Sequence, residues 1–163
     1  MSYAIKMIEV KCNGALHNFS KGTTAKDVIT EILGKKNNAI AVFINVEQRD
    51  LSFSIQENCE IETISGDSDE GAYILRHSCA HLLAQAVVEM FPDAKPTIGP
   101  PIDHGFYYDF HMDPIGDEEL KAIEKKMNQH IRANHTMIRE EYDNQTLRDM
   151  FSDNKFKLEI MDD

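Results

Sequence analysis

Cysteine is scarce in this chain, and what there is lies scattered. Cys12, Cys59 and Cys79 stand among 163 residues with no CxxC pair. That excludes a disulfide framework and the usual paired-cysteine zinc site. No apolar run reaches bilayer-spanning length, and no signal-peptide pattern opens the sequence. A cytoplasmic protein with reduced thiols is the expectation. Basic residues are outnumbered, 17 against 28 acidic, for a formal charge of -11. The imbalance is local: residues 1–64 carry 7 basic and 8 acidic side chains, whereas residues 65–163 carry 10 and 20. No basic patch announces a nucleic-acid partner, so any RNA contact must be made locally rather than steered by the overall field. Tryptophan, internal repeats and low-complexity tracts are absent too.

The length suits one ordinary domain or two small ones. Residues 3–11 (YAIKMIEVK) read as a strand, Asn13-Gly14 as a two-residue hairpin turn, and residues 15–19 as the returning strand. Thr24 is a good N-cap, with Asp27 three residues on. It opens a helix with Val28, Ile29, Ile32 and Leu33 on one stripe and Gly34 at its end. Residues 39–45 (AIAVFIN) form an apolar strand, and Leu51 and residues 61–64 supply shorter ones. The order predicts a small α+β roll of the β-grasp kind over residues 1–64. Its polar residues do not converge, so a binding or docking role is expected. Residues 65–72 are polar and Gly-bearing: a linker, with acids placed to favour the N-terminus of the next helix.

That helix, residues 73–91 (YILRHSCAHLLAQAVVEMF), is apolar on nearly every side and is expected to be buried. His77 and His81, four apart, share one face of it. Ser78, Ala80 and Ala84 leave a groove around the two rings. Imidazoles on such a helix need partners, a metal or water. Three readings follow: a structural pair, metal ligands, or water-orienting groups. A zinc site needs at least a third protein ligand. His104, His111, Cys79 and Asp109 are available, but none comes as a second spaced pair, and His-Glu-x-x-His is absent. Hydrolysis instead requires a histidine titrating near neutrality to orient or deprotonate water. Tyr108 and Lys157 are then candidates to hold substrate hydroxyl, amine or carbonyl groups. His17, His130 and His135 carry no such pattern and read as surface residues.

Pro92, Pro96, Pro100 and Pro101, with Gly99, make residues 92–103 non-helical. Residues 105–110 (GFYYDF) read as a strand with Phe106, Tyr108 and Phe110 on one face. Residues 117–134 read as an amphipathic helix with Leu120, Ile123, Met127 and Ile131 inward. A strand over 137–142 and a short helix over 144–152 follow. The alternation in 156–160 predicts a last strand, with Lys157 opposite Phe156, Leu158 and Ile160. An uncovered final strand suggests that the natural protein continues.

Two runs carry a resemblance. RHSCAHLLAQAV (residues 76–87) and IGPPIDHGFYYDF (residues 98–110) closely resemble the editing-domain signature of bacterial-type threonyl-tRNA synthetases. Residues 1–64 look like the TGS module of that family, and residues 118–127 resemble its E-x-L-x-x-I-E-x-x-M helix. The order of the pieces covers the whole chain. Alanyl-tRNA synthetases and their free-standing relatives share the His-x-x-x-His helix, but GFYYD and the TGS-like module favour the threonyl family. The resemblance implies an N-terminal fragment of an enzyme that joins threonine to its tRNA with ATP and hydrolyses serine mischarged onto that tRNA. A missing methylene is worth only about 1–3 kcal/mol of discrimination, so a second, hydrolytic sieve is physically sensible.

On this resemblance residues 73–163 are the first part of an editing domain. His77 and His81 are implied as catalytic residues that place or activate water. Tyr108 and Lys157 are implied to line the substrate pocket, and Gly99 to let the backbone approach the bound adenosine end. No metal or cofactor is implied for this stretch; ATP, magnesium and zinc belong with the ligase core. The implied partners are the acceptor end of tRNA(Thr), the remainder of the synthetase, and a second copy of the full-length enzyme, with no membrane. There are two departures. Asn45-Val46 stands where the family often has Asn-Gly, and valine resists positive φ, so that turn should differ. The later cysteine- and histidine-bearing editing motif, the class II core and the anticodon-binding domain lie outside these residues, so one wall of the pocket is missing and the chain cannot ligate threonine. Two other readings stay open: a non-catalytic TGS-type RNA- or protein-binding module, and a metal-dependent alanyl-type aminoacyl-tRNA hydrolase.

Overall fold

A computed structural model describes residues 6–135, 138 and 140–162. The chain is mixed α+β and falls into two units, Met1–Leu75 and Arg76–Asp163. The first starts from a hairpin, β1 (Met7–Cys12) and β2 (Ala15–Ser20). Asn13 and Gly14 take φ of 50 and 80, the left-handed pair that a two-residue hairpin turn demands. Along β1, Ile8, Val10 and Cys12 are buried while Met7, Glu9 and Lys11 are exposed. Thr24 caps α1 (Ala25–Leu33) by accepting from the Asp27 amide at 3.2 Å, and Gly34 closes it. Then come β3 (Ala39–Ile44), β4 (Glu47–Asp50) and β5 (Cys59–Ser65). The sheet order is β2-β1-β5-β3-β4, with β1 and β5 parallel and the other pairs antiparallel. Ile8, Val10, Val28, Ile29, Val42 and Ile61 pack into one core.

Two details of this unit differ from, or refine, the sequence reading. Leu51 lies in a turn, and the strand beside it is β4, all polar (EQRD). An edge strand paired on one side needs no apolar face, so periodicity cannot find it. At the β3–β4 turn Asn45 has φ of 57 but Val46 is not left-handed, as a β-branched residue requires.

α2 (Asp69–Met90) begins four residues before the expected start. Ser68 supplies its N-cap bond, its Oγ accepting from the Gly71 amide at 3.0 Å. Asp69 and Glu70 occupy the first turn. Gly71 is pressed so close to Ser65 that a Cβ there would lie 1.8 Å from the Ser65 carbonyl oxygen. The helix is not buried all round. Ala80, Ala86 and Val87 are buried, but Tyr73, Leu75, Val88 and both histidines are exposed. From Arg76 onward the core that covers the helix is small: Ala86, Val87, Ala94 and Ile123, flanked by residues such as Phe91 and Phe110.

In the second unit β6 (Lys95–Pro96) pairs with β9 (Phe110–His111), and β7 (Pro101–Ile102) with β8 (Gly105–Phe106). The single strand expected over 105–110 is therefore interrupted, and Phe106 and Phe110 belong to different ladders. Pro96, Pro100 and Pro101 lack the N–H donors that a continuous partner strand would supply. The gap is bridged by Thr97 N to Asp109 O at 3.0 Å and Asp109 N to Ile98 O at 2.9 Å.

α3 (Asp117–Ala133) starts with Glu119 accepting from the Gly116 amide at 2.9 Å and ends at left-handed Asn134. Ile123 is buried and Met127 packs beside it, but Leu120 and Ile131 are 54% and 61% exposed, contrary to expectation. Polar ties fix the helix's rotation. Glu89 on α2 binds Lys126 at 2.7 Å and His130 at 3.1 Å. That stripe leaves Leu120 and Ile131 on its shoulder. His130, expected at the surface, is thus a hydrogen-bond partner of Glu89 with its side chain largely covered.

Of the strand expected over 137–142, positions 137 and 139 lie outside the described residues, and 138 and 140–142 are in no strand. α4 (Asn144–Met150) is capped by Asp143, which accepts from the Thr146 amide at 2.9 Å. The strand expected over 156–160 is overturned: those residues lie in α5 (Lys155–Asp162). Lys, Leu, Glu and Met are good helix formers, and Asn154 caps the helix by accepting from the Lys157 amide at 3.3 Å. The argument from an uncovered final strand falls with it. Among the described residues no helix is long and apolar enough to cross a membrane.

The Glu89 tie generates a pH prediction. Hydrogen bonds from Lys126 first, then Gln85, hold its carboxyl down from 4.5 to about 2. A depressed carboxylate stabilises the fold fully above its unfolded value, and that contribution is lost as pH falls from about 4.5 towards 2. Glu89→Gln should lower the urea midpoint at neutral pH and flatten its fall across that acid window. An identical acid profile in the variant would contradict the tie.

Candidate active site

The α2 spacing stacks the His77 and His81 rings, with centroids 4.8 Å apart and planes 24° apart. Their Nε2 atoms stand 3.0 Å from each other. At that distance one ring donates its N–H and the other accepts. Both side chains are exposed on the solvent side of the helix. His81 is set lower than its open edge suggests. Its pKa is depressed first by partial burial, then by His77, then by the positive charge of Lys157. His81 is therefore an unprotonated base near neutral pH.

Lys157, in the first turn of α5, donates from Nζ to the Thr97 carbonyl at 3.0 Å. It is the link between the histidine pair and the 97–99 segment. Gly99 and Tyr108 form the other group. The Tyr108 ring lies across Gly99, where an added Cβ would come within 2.1 Å of Cδ2. The ring also stacks on Phe110 with centroids 4.8 Å apart. Burial pushes the Tyr108 hydroxyl's pKa up, so it is a neutral donor and acceptor. Within this structure, Gly99 makes room for a ring of the chain itself.

The candidate metal supplements disperse. His111 packs its ring on Phe156 at 5.5 Å, and His104 lies in the β7–β8 turn. Among the described residues no group of three or more His, Cys, Asp or Glu side chains is arranged to hold a metal ion. A cleft of about 750 Å³ in this unit is lined by residues including Phe91, Asp93, His111 and Ile115, and by none of the five candidate residues. Two contributors escaped the sequence reading. Arg76 donates to the Ile102 carbonyl at 3.4 Å, and buried Asn154 donates to the Pro96 carbonyl at 3.0 Å. Asn154 carried a signal, a cap-type residue before Lys155-Phe156, which the expected strand concealed.

No family model matches the chain. Curated proteins do. It is 40% identical over 160 residues, 98% of its length, to a threonine--tRNA ligase of Thermobifida fusca. It is 40% identical over 154 residues to threonine--tRNA ligase 1 of Bacillus subtilis, and 48% identical over 124 residues to a threonine--tRNA ligase of Ehrlichia ruminantium. The chain is a homologue of threonine--tRNA ligases. It spans about a quarter of the length of the relatives it matches, 24% of the Thermobifida and Bacillus proteins. The resemblance carried by residues 76–87 and 98–110 thus lies inside a homology that extends over nearly the whole chain.

The Gly99–Tyr108 contact is testable by itself. Gly99→Ala forces the ring off its seat, and an overpacked methyl costs about 1–3 kcal/mol. The expected result is a lower urea midpoint together with loss of the ring-current shift that Tyr108 imposes on Phe110. A variant with unchanged aromatic shifts would show that the ring is not seated there.

Proposed function

We propose that this chain is the TGS and partial editing region of a threonyl-tRNA synthetase, and that its second unit acts in hydrolysing serine mischarged onto tRNA(Thr). One observation carries the reading: two imidazoles 3.0 Å apart on the solvent side of α2, with the Lys157 charge bearing on one of them. The homology to threonine--tRNA ligases supports the family of the whole enzyme, and so ATP-dependent threonine charging by that whole. The sheet order with its parallel β1–β5 pair supports the β-grasp assignment over residues 1–64. Residues 65–72 are then the linker and residues 73–163 the editing part. The partners are the tRNA(Thr) acceptor end, the rest of the synthetase and, for the full-length enzyme, a second copy, in the cytoplasm. ATP, magnesium and zinc are assigned to the ligase core.

The substrate bond is the ester between the serine carboxyl carbon and a ribose hydroxyl at the tRNA 3′ end. One histidine of the pair accepts a proton from water as the water oxygen bonds to the ester carbonyl carbon. The bond from that carbon to the ribose oxygen then breaks, and the ribose oxygen takes the proton back from the imidazolium. One water is consumed, giving serine and uncharged tRNA. The Lys157 ammonium stabilises the oxygen that gains negative charge. The Tyr108 hydroxyl, beside its apolar stack, binds a polar group of the aminoacyl end. Gly99 keeps that wall free of a side chain.

The test is a chimera in which this chain replaces the matching segment of the Bacillus subtilis relative. His77→Ala and His81→Ala should slow hydrolysis of serine-loaded tRNA(Thr) by about 10²–10⁴-fold while threonine charging is retained. If both variants hydrolyse at the unsubstituted rate, the pair is structural and the reading is wrong.

A further inference from the structure

Asn154 is a buried polar side chain, 5% exposed, and it commits both ends of its amide. Nδ2 donates to the Pro96 carbonyl at 3.0 Å, and Oδ1 accepts from the Lys157 amide at 3.3 Å. The next carbonyl along, that of Thr97, is the one that holds Lys157 Nζ. One side chain therefore ties the first turn of α5 to the very segment on which the lysine rests. Lys95 to Asp153 at 2.7 Å is a parallel tie, but its carboxylate is largely exposed and such pairs hold little.

We infer that Asn154 is a positioning residue: by pinning the start of α5 to the Pro96 carbonyl, it seats the Lys157 ammonium on the Thr97 carbonyl and so fixes where that charge stands relative to the histidine pair. A lysine tip on four methylenes wanders unless its base is held. Asn154 holds the base, and Thr97 receives the tip. The groups that bear on His81 are His77 on its own helix and Lys157 on α5. Lys157 is thus the one of the two whose place depends on a contact between elements. The catalytic consequence rests on the editing reading above; the placement itself stands on the hydrogen bonds.

The experiment is an NMR titration of the His81 ring in this 163-residue chain, comparing the parent with Lys157→Met, Asn154→Ala and Asn154→Ser. Removing the lysine charge should raise the His81 midpoint. Asn154→Ala should raise it in the same direction. Asn154→Ser should do so too, because serine keeps the helix cap but is too short to reach Pro96. A His81 midpoint unmoved in folded Asn154→Ser, with Lys157→Met raising it, overturns the proposal and leaves Asn154 a helix cap. A midpoint unmoved in Lys157→Met overturns it as well. In the chimera, Asn154→Ser should slow deacylation by about 10²-fold, the usual loss from a misplaced group. If the titration shifts but the unsubstituted chimera does not deacylate, the editing reading fails and the positioning role stands.

Discussion

Two imidazole nitrogens 3.0 Å apart can share one proton but cannot comfortably carry two. The chemistry proposed for the second unit depends on that constraint. The helix supplies it at no extra cost, because residues four apart on α2 already lie one above the other. The positive charge of Lys157 disfavours protonation of His81 further. The result is a histidine kept unprotonated near neutral pH on a solvent-facing side of a helix, as the proposed hydrolysis requires. A fully buried pair would lack that access.

What sequence reasoning could read was local. Asn13-Gly14, Thr24 with Asp27, and Gly34 each dictate a turn or an end by their own backbone chemistry, and the structure has them there. The histidine spacing was legible for the same reason: a helix turns the pattern of four into a face. What could not be read was contact between distant segments. α3 rotates to meet Glu89, 37 residues before Lys126, so its apolar stripe is displaced from the one its own sequence suggests. The alternation Phe156, Leu158, Ile160 fits a strand, yet a cap at Asn154 and helix-forming residues between decide for α5. Polar residues settled both cases.

The two units differ in what holds them. In the first, branched aliphatic side chains from the sheet and α1 interlock above a five-stranded ladder. In the second, the fully buried residues are small, Ala86, Val87 and Ala94 with Ile123, and give less area to the hydrophobic effect. Side-chain bonds such as Glu89–Lys126 and Asn154–Pro96 add to that core. That suits a site, since hydrogen bonds fix positions that apolar packing leaves loose.

The proline content of residues 95–101 explains which bonds those are. Each proline keeps its carbonyl but gives up its N–H, so the segment has more acceptors than donors. A neighbouring strand can satisfy only part of the excess, and the ladders here are two residues long. Donors must therefore come from side chains elsewhere. Asn154 and Lys157 donate to Pro96 and Thr97, and Arg76 to Ile102, just after Pro101. The segment that seats Gly99 under Tyr108 is thus held by donors from α2, from α5 and from Asn154 at the start of α5.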